Sequence, residues 1–119
     1  MSGIEQSSST VHTDPRGTLI ATELSDVPFA VTRIFVVRGP DGGAVRGDHV
    51  TNSAELLVLV SGTVTVFSGI DAEHVDAGVT LSRPGARILL EVGHYVRYFL
   101  PNAESEILVL CEQPFVSRS

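Results

Sequence analysis

The sequence predicts an all-β domain, a sandwich or barrel built from many short strands. Three observations predict it. Short runs rich in β-branched and aromatic residues recur along the chain. Clusters of Gly, Pro, Asp and Asn separate them, and these residues supply turn chemistry. No stretch sustains the 3.6-residue apolar period of an amphipathic helix; the nearest, residues 71–77, is short and is interrupted by Gly78.

The elements follow in order. Residues 1–13 are polar and Ser-rich and are expected to form a flexible N-terminal arm, with a single domain from residue 14 to 119. Asp14-Pro15-Arg16-Gly17 reads as a turn, because Pro fixes φ and Gly permits the reversal. Strands are then expected at 18–23, 30–38 (AVTRIFVVR), 55–60 (ELLVLV), 63–68 (TVTVFS), 87–91, 94–99 and 106–111. Ser61-Gly62 reads as a tight hairpin between two of them. In the 63–68 strand, Thr63, Thr65 and Phe67 share one face and Val64 and Val66 the other. Both faces carry bulk, which suits either a barrel with a dimer contact outside or a partly covered outer sheet.

Composition narrows the function. Hydrophobic residues make up 43% of the 119, enough for a core and too many for a disordered chain. The net charge is −6, the basic residues are scattered arginines and there is no Lys, so no basic stripe is available for nucleic acid. The longest apolar run, 56–60, is far too short to cross a membrane, and the opening MSGIEQSSST lacks the features of a secretion signal. A lone Cys111 excludes an internal disulfide and fits a cytoplasmic protein.

The segment 47–62, GDHVTNSAELLVLVSG, carries the functional argument. A metal-binding cupin has His-x-His, three or four residues, Glu, six residues and Gly. His49, Glu55 and Gly62 keep that spacing, with Thr51 in place of the second His. Residues i and i+2 of a strand face the same way, so His49 and Thr51 are expected to enter the barrel together. The second motif, Gly-x5-Pro, is matched by Gly78 and Pro84, but residues 87–90 (RILL) follow with no His. His49 and Glu55 alone are too few ligands for a stable transition-metal centre, so no metal and no cofactor are expected. The motif and the strand pattern together resemble a cupin-type jelly roll, which implies a double-stranded β-helix barrel.

The stretches DPRGTLIATE, VPFAVTRIFVV and RGDHVTNSAELLVLVSGTVTV, closing on SEILVLCEQPF, resemble the metal-free cupin family of sugar-nucleotide 3,4-ketoisomerases across residues 14–115. The resemblance implies a homodimer that acts on dTDP-4-keto-6-deoxyglucose and moves a proton between sugar carbons 3 and 4 through an enediol. The family carries Arg-Gly-x-His-x-His with the His residues as acid and base; Arg46, Gly47 and His49 match it and Thr51 departs. Phe35 stands where the family often has a Tyr, and Tyr95-Val96-Arg97-Tyr98 stands at its Trp-His-Glu-Met segment.

His49 is the candidate catalytic residue, either a general base or a barrel histidine hydrogen-bonded to Glu55. Candidate substrate-binding residues are Arg33, Phe35, Arg46, Thr51, Glu55, Tyr95 and Arg97. Arg46 has the planar fork that suits a diphosphate, though it could equally pair with Asp48 or Asp14. Arg33 and Arg97 belong either to the pocket or to a solvated face; Phe35, Tyr95, Tyr98 and Phe99 either to the core or to a ligand stack. His12 and His74 read as surface residues and Cys111 as inert core. Two enzyme classes fit: the sugar isomerase, and a repurposed metal-free cupin that cyclises a polyketide by cycloaddition in an apolar pocket formed by Phe35, Thr51 and residues 88–90. Binding without catalysis is a third. Each takes a small molecule as partner, a nucleotide sugar or a polyketide, and none needs nucleic acid or a membrane.

Overall fold

A computed structural model describes residues 4–114; residues 1–3 of the expected arm and 115–119 of the expected domain lie outside it. Twelve strands are defined among the described residues: β1 (Ile4–Ser8), β2 (Thr10–Asp14), β3 (Gly17–Ala21), β4 (Arg33–Arg38), β5 (Ala44–Val50), β6 (Glu55–Ser61), β7 (Val64–Asp71), β8 (His74–Val75), β9 (Val79–Leu81), β10 (Ala86–Leu90), β11 (Tyr95–Leu100) and β12 (Glu106–Cys111). The only helical element among these residues is a single 3-10 turn at Leu24–Asp26.

The strands form two facing antiparallel sheets. One has the order β1-β10-β6-β12-β4; the other has β5-β11-β7-β8, with β9 also on β7. β2 and β3 make a separate hairpin. Alternation decides which side chains close the space between the sheets. Leu57, Leu59, Val64, Val66, Ile88, Val96, Leu100, Ile107 and Val109 are almost wholly buried there. Each such side chain is worth about 1.5–3 kcal/mol of transfer free energy. A smaller apolar layer lies outside the first sheet, where Val27 covers Leu56, Val58 and Leu110, with Ile20, Phe29 and Val31 packed against them.

The structure adds β5, β8 and β9 to the strands expected from sequence and corrects two further features of the fold. Residues 4–13 do not form an arm apart from the domain: β1 pairs with β10 at a sheet edge and β2 pairs with β3. Polar sequence conceals this, because edge pairing is made by backbone groups and needs no apolar side chain. Ser61-Gly62 does not close a hairpin either. β6 pairs with β10 and β12, whereas β7 pairs with β11, β8 and β9, so the chain crosses from one sheet to the other there. Gly62 takes φ +66°, and the Ser61 hydroxyl donates to the Glu104 carbonyl at 2.6 Å, fixing the corner to the β11–β12 loop. In β7, Val64 and Val66 point into the core while Thr65 and Phe67 face outward, as alternation requires.

Candidate active site

The site is assembled by strand register. On one wall, Arg33 of β4, Cys111 of β12 and Glu55 of β6 are directly opposite one another. Cross-strand partners share a face, so a cation, a thiol and a carboxyl form one row. The next row inward is Phe35, Val109 and Leu57, and the next Val37, Ile107 and Leu59. The wall therefore grades from polar at its mouth to apolar at its closed end.

The facing wall comes from β5 and β11. Arg46 pairs with Tyr98 and His49 with Val96. Between those pairs, Gly47 and Asp48 stand opposite the single residue Arg97, and the register shifts. Gly47 and Asp48 take φ +86° and +51°. This bulge inserts one residue, so Arg46 and His49 point to the same side despite their odd spacing. Together the walls enclose an open cavity of about 440 Å³ whose lining includes Arg33, Phe35, Arg46, His49 and Glu55.

Five of the eight candidate residues thus meet at one cavity. The other three do not line it. Thr51, expected beside His49, lies beyond the end of β5. It is buried, its hydroxyl donates to the Glu91 carbonyl at 2.8 Å and its amide to the His94 carbonyl. The alternation argument fails because the strand stops at Val50. Tyr95 and Arg97 lie on the opposite face of β11 from Val96 and Tyr98. The Tyr95 hydroxyl donates to Asp48, and the Arg97 guanidinium sits over the Phe67 ring at 5.5 Å. Neither acid suggested for Arg46 holds it: Asp14 is bound by Arg16 at 2.6 Å and Asp48 by Tyr95. His12 and His74 are exposed, as read from their polar surroundings.

Sequence reasoning did not place Tyr98 or Cys111 in the site. Cys111 reads as inert core and Tyr98 as either core or ligand stack; both border the core and both line the cavity. No local signal marks them, because only register places them beside Arg46 and Glu55. Ser53 was also missed. Its hydroxyl accepts the amides of Glu112 and Gln113 at 3.1 and 3.0 Å, which anchors the segment after β12 at the cavity rim.

Burial controls the electrostatics. Desolvation pushes the Glu55 carboxyl above its ordinary range, offset in part by His49, Arg33 and a Cys111 thiol 3.9 Å away. Desolvation also pushes the Tyr98 phenol up to about 12 and the Cys111 thiol up to about 11, and the charge of Glu55 adds to both. Arg33 lies 4.6 Å above the Phe35 ring, a cation–π contact that holds the guanidinium at the mouth. Among the described residues, no group of three or more His, Cys, Asp or Glu stands close enough together to hold a metal ion.

The profile of the family described as "FdtA: WxcM-like, C-terminal" matches residues 3–118. The chain belongs to that family. Among curated proteins, none matches it. Solved structures share its fold at low identity. A 3,4-ketoisomerase from Helicobacter canadensis is 21% identical with a TM-score of 0.81, covering 98% of this chain and 88% of that one. A sugar 3,4-ketoisomerase from Thermoanaerobacterium thermosaccharolyticum, solved with TDP, is 19% identical with a TM-score of 0.82, over 96% and 83%. A 3'-monoepimerase from Streptomyces bikiniensis, solved with dTDP-quinovose, is 17% identical with a TM-score of 0.80, over 96% and 66%. The all-β cupin fold is thereby established for this member of the FdtA, WxcM-like family. No helix among its described residues is long and apolar enough to cross a membrane.

Proposed function

We propose that this protein is a sugar-nucleotide isomerase that moves a proton between carbons 3 and 4 of a TDP-linked 4-keto-6-deoxyhexose. The observation that carries this reading is the bulge at Gly47-Asp48, which brings His49 and Arg46 into one cavity opposite Arg33 and Glu55. An imidazole nitrogen can take a proton from carbon and return it, which is the work this reaction asks of His49. Guanidinium groups recognise phosphate oxygens through paired N–H donors. Family membership supports the reading, as does the Thermoanaerobacterium relative, of which a variant was solved with TDP-4-keto-6-deoxyglucose.

The polyketide cyclase reading requires an apolar cavity. Ile88 and Leu90 lie in the closed core, and Thr51 turns away from the site. Of the residues expected to form a greasy wall, only Phe35 lines the cavity. The deciding experiment is incubation with TDP-4-keto-6-deoxyglucose in deuterated water. The expected result is a 3-keto product carrying deuterium at carbon 4, with exchange at carbon 3 in the remaining substrate. Neither product nor exchange from folded protein would overturn the proposal.

A further inference from the structure

Isomerisation through an enediol moves protons at two oxygens as well as at two carbons. One imidazole can serve the carbons; the oxygens need a further proton donor and acceptor, either water or a second side chain. Thr51 is turned to the Glu91 carbonyl and cannot take that part. Resting on the isomerase reading above, we propose that Glu55 is the second proton-transfer residue, the acid and base for the sugar oxygens opposite His49.

The placement supports this directly. Glu55 is the sole carboxyl group among the described residues lining the cavity. Other nearby acids are engaged elsewhere: Asp48 with Tyr95 outside the barrel, and Glu106 with Arg38 at 2.5 Å. The groups facing Glu55 are Arg33 from β4, Cys111 from β12, His49 and Arg46 from β5 and Tyr98 from β11; its partner on β10 is Leu90. Tyr98 and Cys111 hold their protons too tightly to exchange them readily near neutrality, at about 12 and about 11. Burial shifts Glu55 the other way in usefulness, from a carboxylate that is always ionised toward one that can carry a proton.

The steps balance without any co-reactant. Neutral His49 takes the proton from carbon 3 while protonated Glu55 gives one to oxygen 4, forming the C3=C4 double bond of the enediol. Ionised Glu55 then takes the proton from oxygen 3 as the C3=O bond forms, and His49 returns its proton to carbon 4. The sugar has gained and lost no atoms, and both residues end as they began.

The test uses the full-length protein, with Glu55→Gln, Glu55→Asp and His49→Asn, incubated with TDP-4-keto-6-deoxyglucose. Product is followed by NMR and TDP affinity by calorimetry. Glu55→Gln is expected to lose about 10²–10⁴-fold in turnover while TDP affinity stays within about threefold. Glu55→Asp is expected to recover at least about tenfold over Gln, because a shorter carboxyl still carries a proton. Wild-type turnover is expected to follow a bell-shaped pH profile, one limb of which disappears in Glu55→Gln. Turnover by Glu55→Gln within about threefold of wild type, with His49→Asn inert, would overturn the assignment and leave the isomerase reading standing. An inert wild type would remove the isomerase reading, and this inference with it. Should Glu55→Gln unfold, the wild-type profile and Glu55→Asp decide: a single-limbed profile, or an Asp variant with the wild-type profile unshifted, counts against Glu55.

Discussion

Arg46 and His49 stand an odd number of positions apart on β5 and yet face the same side of the sheet, because Gly47 and Asp48 together oppose the single residue Arg97. The bulge depends on Gly47, whose φ of +86° is costly for any residue with a Cβ. A Cβ there would also meet the Tyr98 ring at 3.2 Å. Gly47→Ala should therefore cost about 1–2 kcal/mol of stability and weaken TDP binding by moving Arg46 against His49. Urea denaturation and calorimetry check the two parts; an alanine variant with native stability and affinity would show that the bulge does not set the site.

His49→Ala should separate proton transfer from simple shaping of a substrate. Loss of a general base costs on the order of 10²–10⁴ in rate. Deuterium exchange at carbon 3 should vanish with turnover, while TDP still binds. A small loss in His49→Ala beside a large one in Phe35→Ala would favour a cavity that acts by shape.

Thr51→Val should lower stability by about 1 kcal/mol, because the hydrogen bond from the buried Thr51 hydroxyl to the Glu91 carbonyl is lost. TDP affinity should be unchanged, since Thr51 does not line the cavity. Lost affinity without lost stability would place Thr51 in the binding site after all.

Stability should fall at alkaline pH through Tyr98 and Cys111. Both pKa values are raised in the folded protein, from 10.0 to about 12 and from 9.0 to about 11, chiefly by desolvation. The folded state thus holds these protons when the unfolded state has released them. The contribution is complete below pH 9 and is lost as pH rises through about 11 and then about 12. Urea midpoints measured across that window should decline, and Tyr98→Phe should flatten the upper part. The same burial should make Cys111 slow to react with thiol reagents at neutral pH.

The protein is expected to be a homodimer. Val45 and Phe99, paired on the outer face of β5 and β11, are 58% and 39% exposed; Ile34 and Val36, outside β4, are 55% and 56% exposed. Apolar area of this kind on two sheet faces suits association with a second copy. Light scattering at micromolar concentration checks this, and a monomer mass would refute it.

The sequence by itself determined the all-β class, the division of faces along residues 63–67 and the spacing that singles out His49. Those follow from local rules: β-branched runs, period-two alternation and turn residues, each acting within a few residues of itself. Val64 and Val66 sharing one face and Thr65 taking the other is one such case; that the valines are the inward pair is the structure's addition. Tertiary structure decided what a local pattern cannot hold. Thr51 is at i+2 from His49, but the strand ends between them and a backbone carbonyl from the 91–94 loop claims its hydroxyl. Arg46, which strict alternation would put outside, is carried into the cavity by one inserted residue. Glu55, Cys111 and Arg33 are far apart along the chain and become neighbours only through the register of β4, β12 and β6, a long-range pairing fixed by the packing of whole sheets.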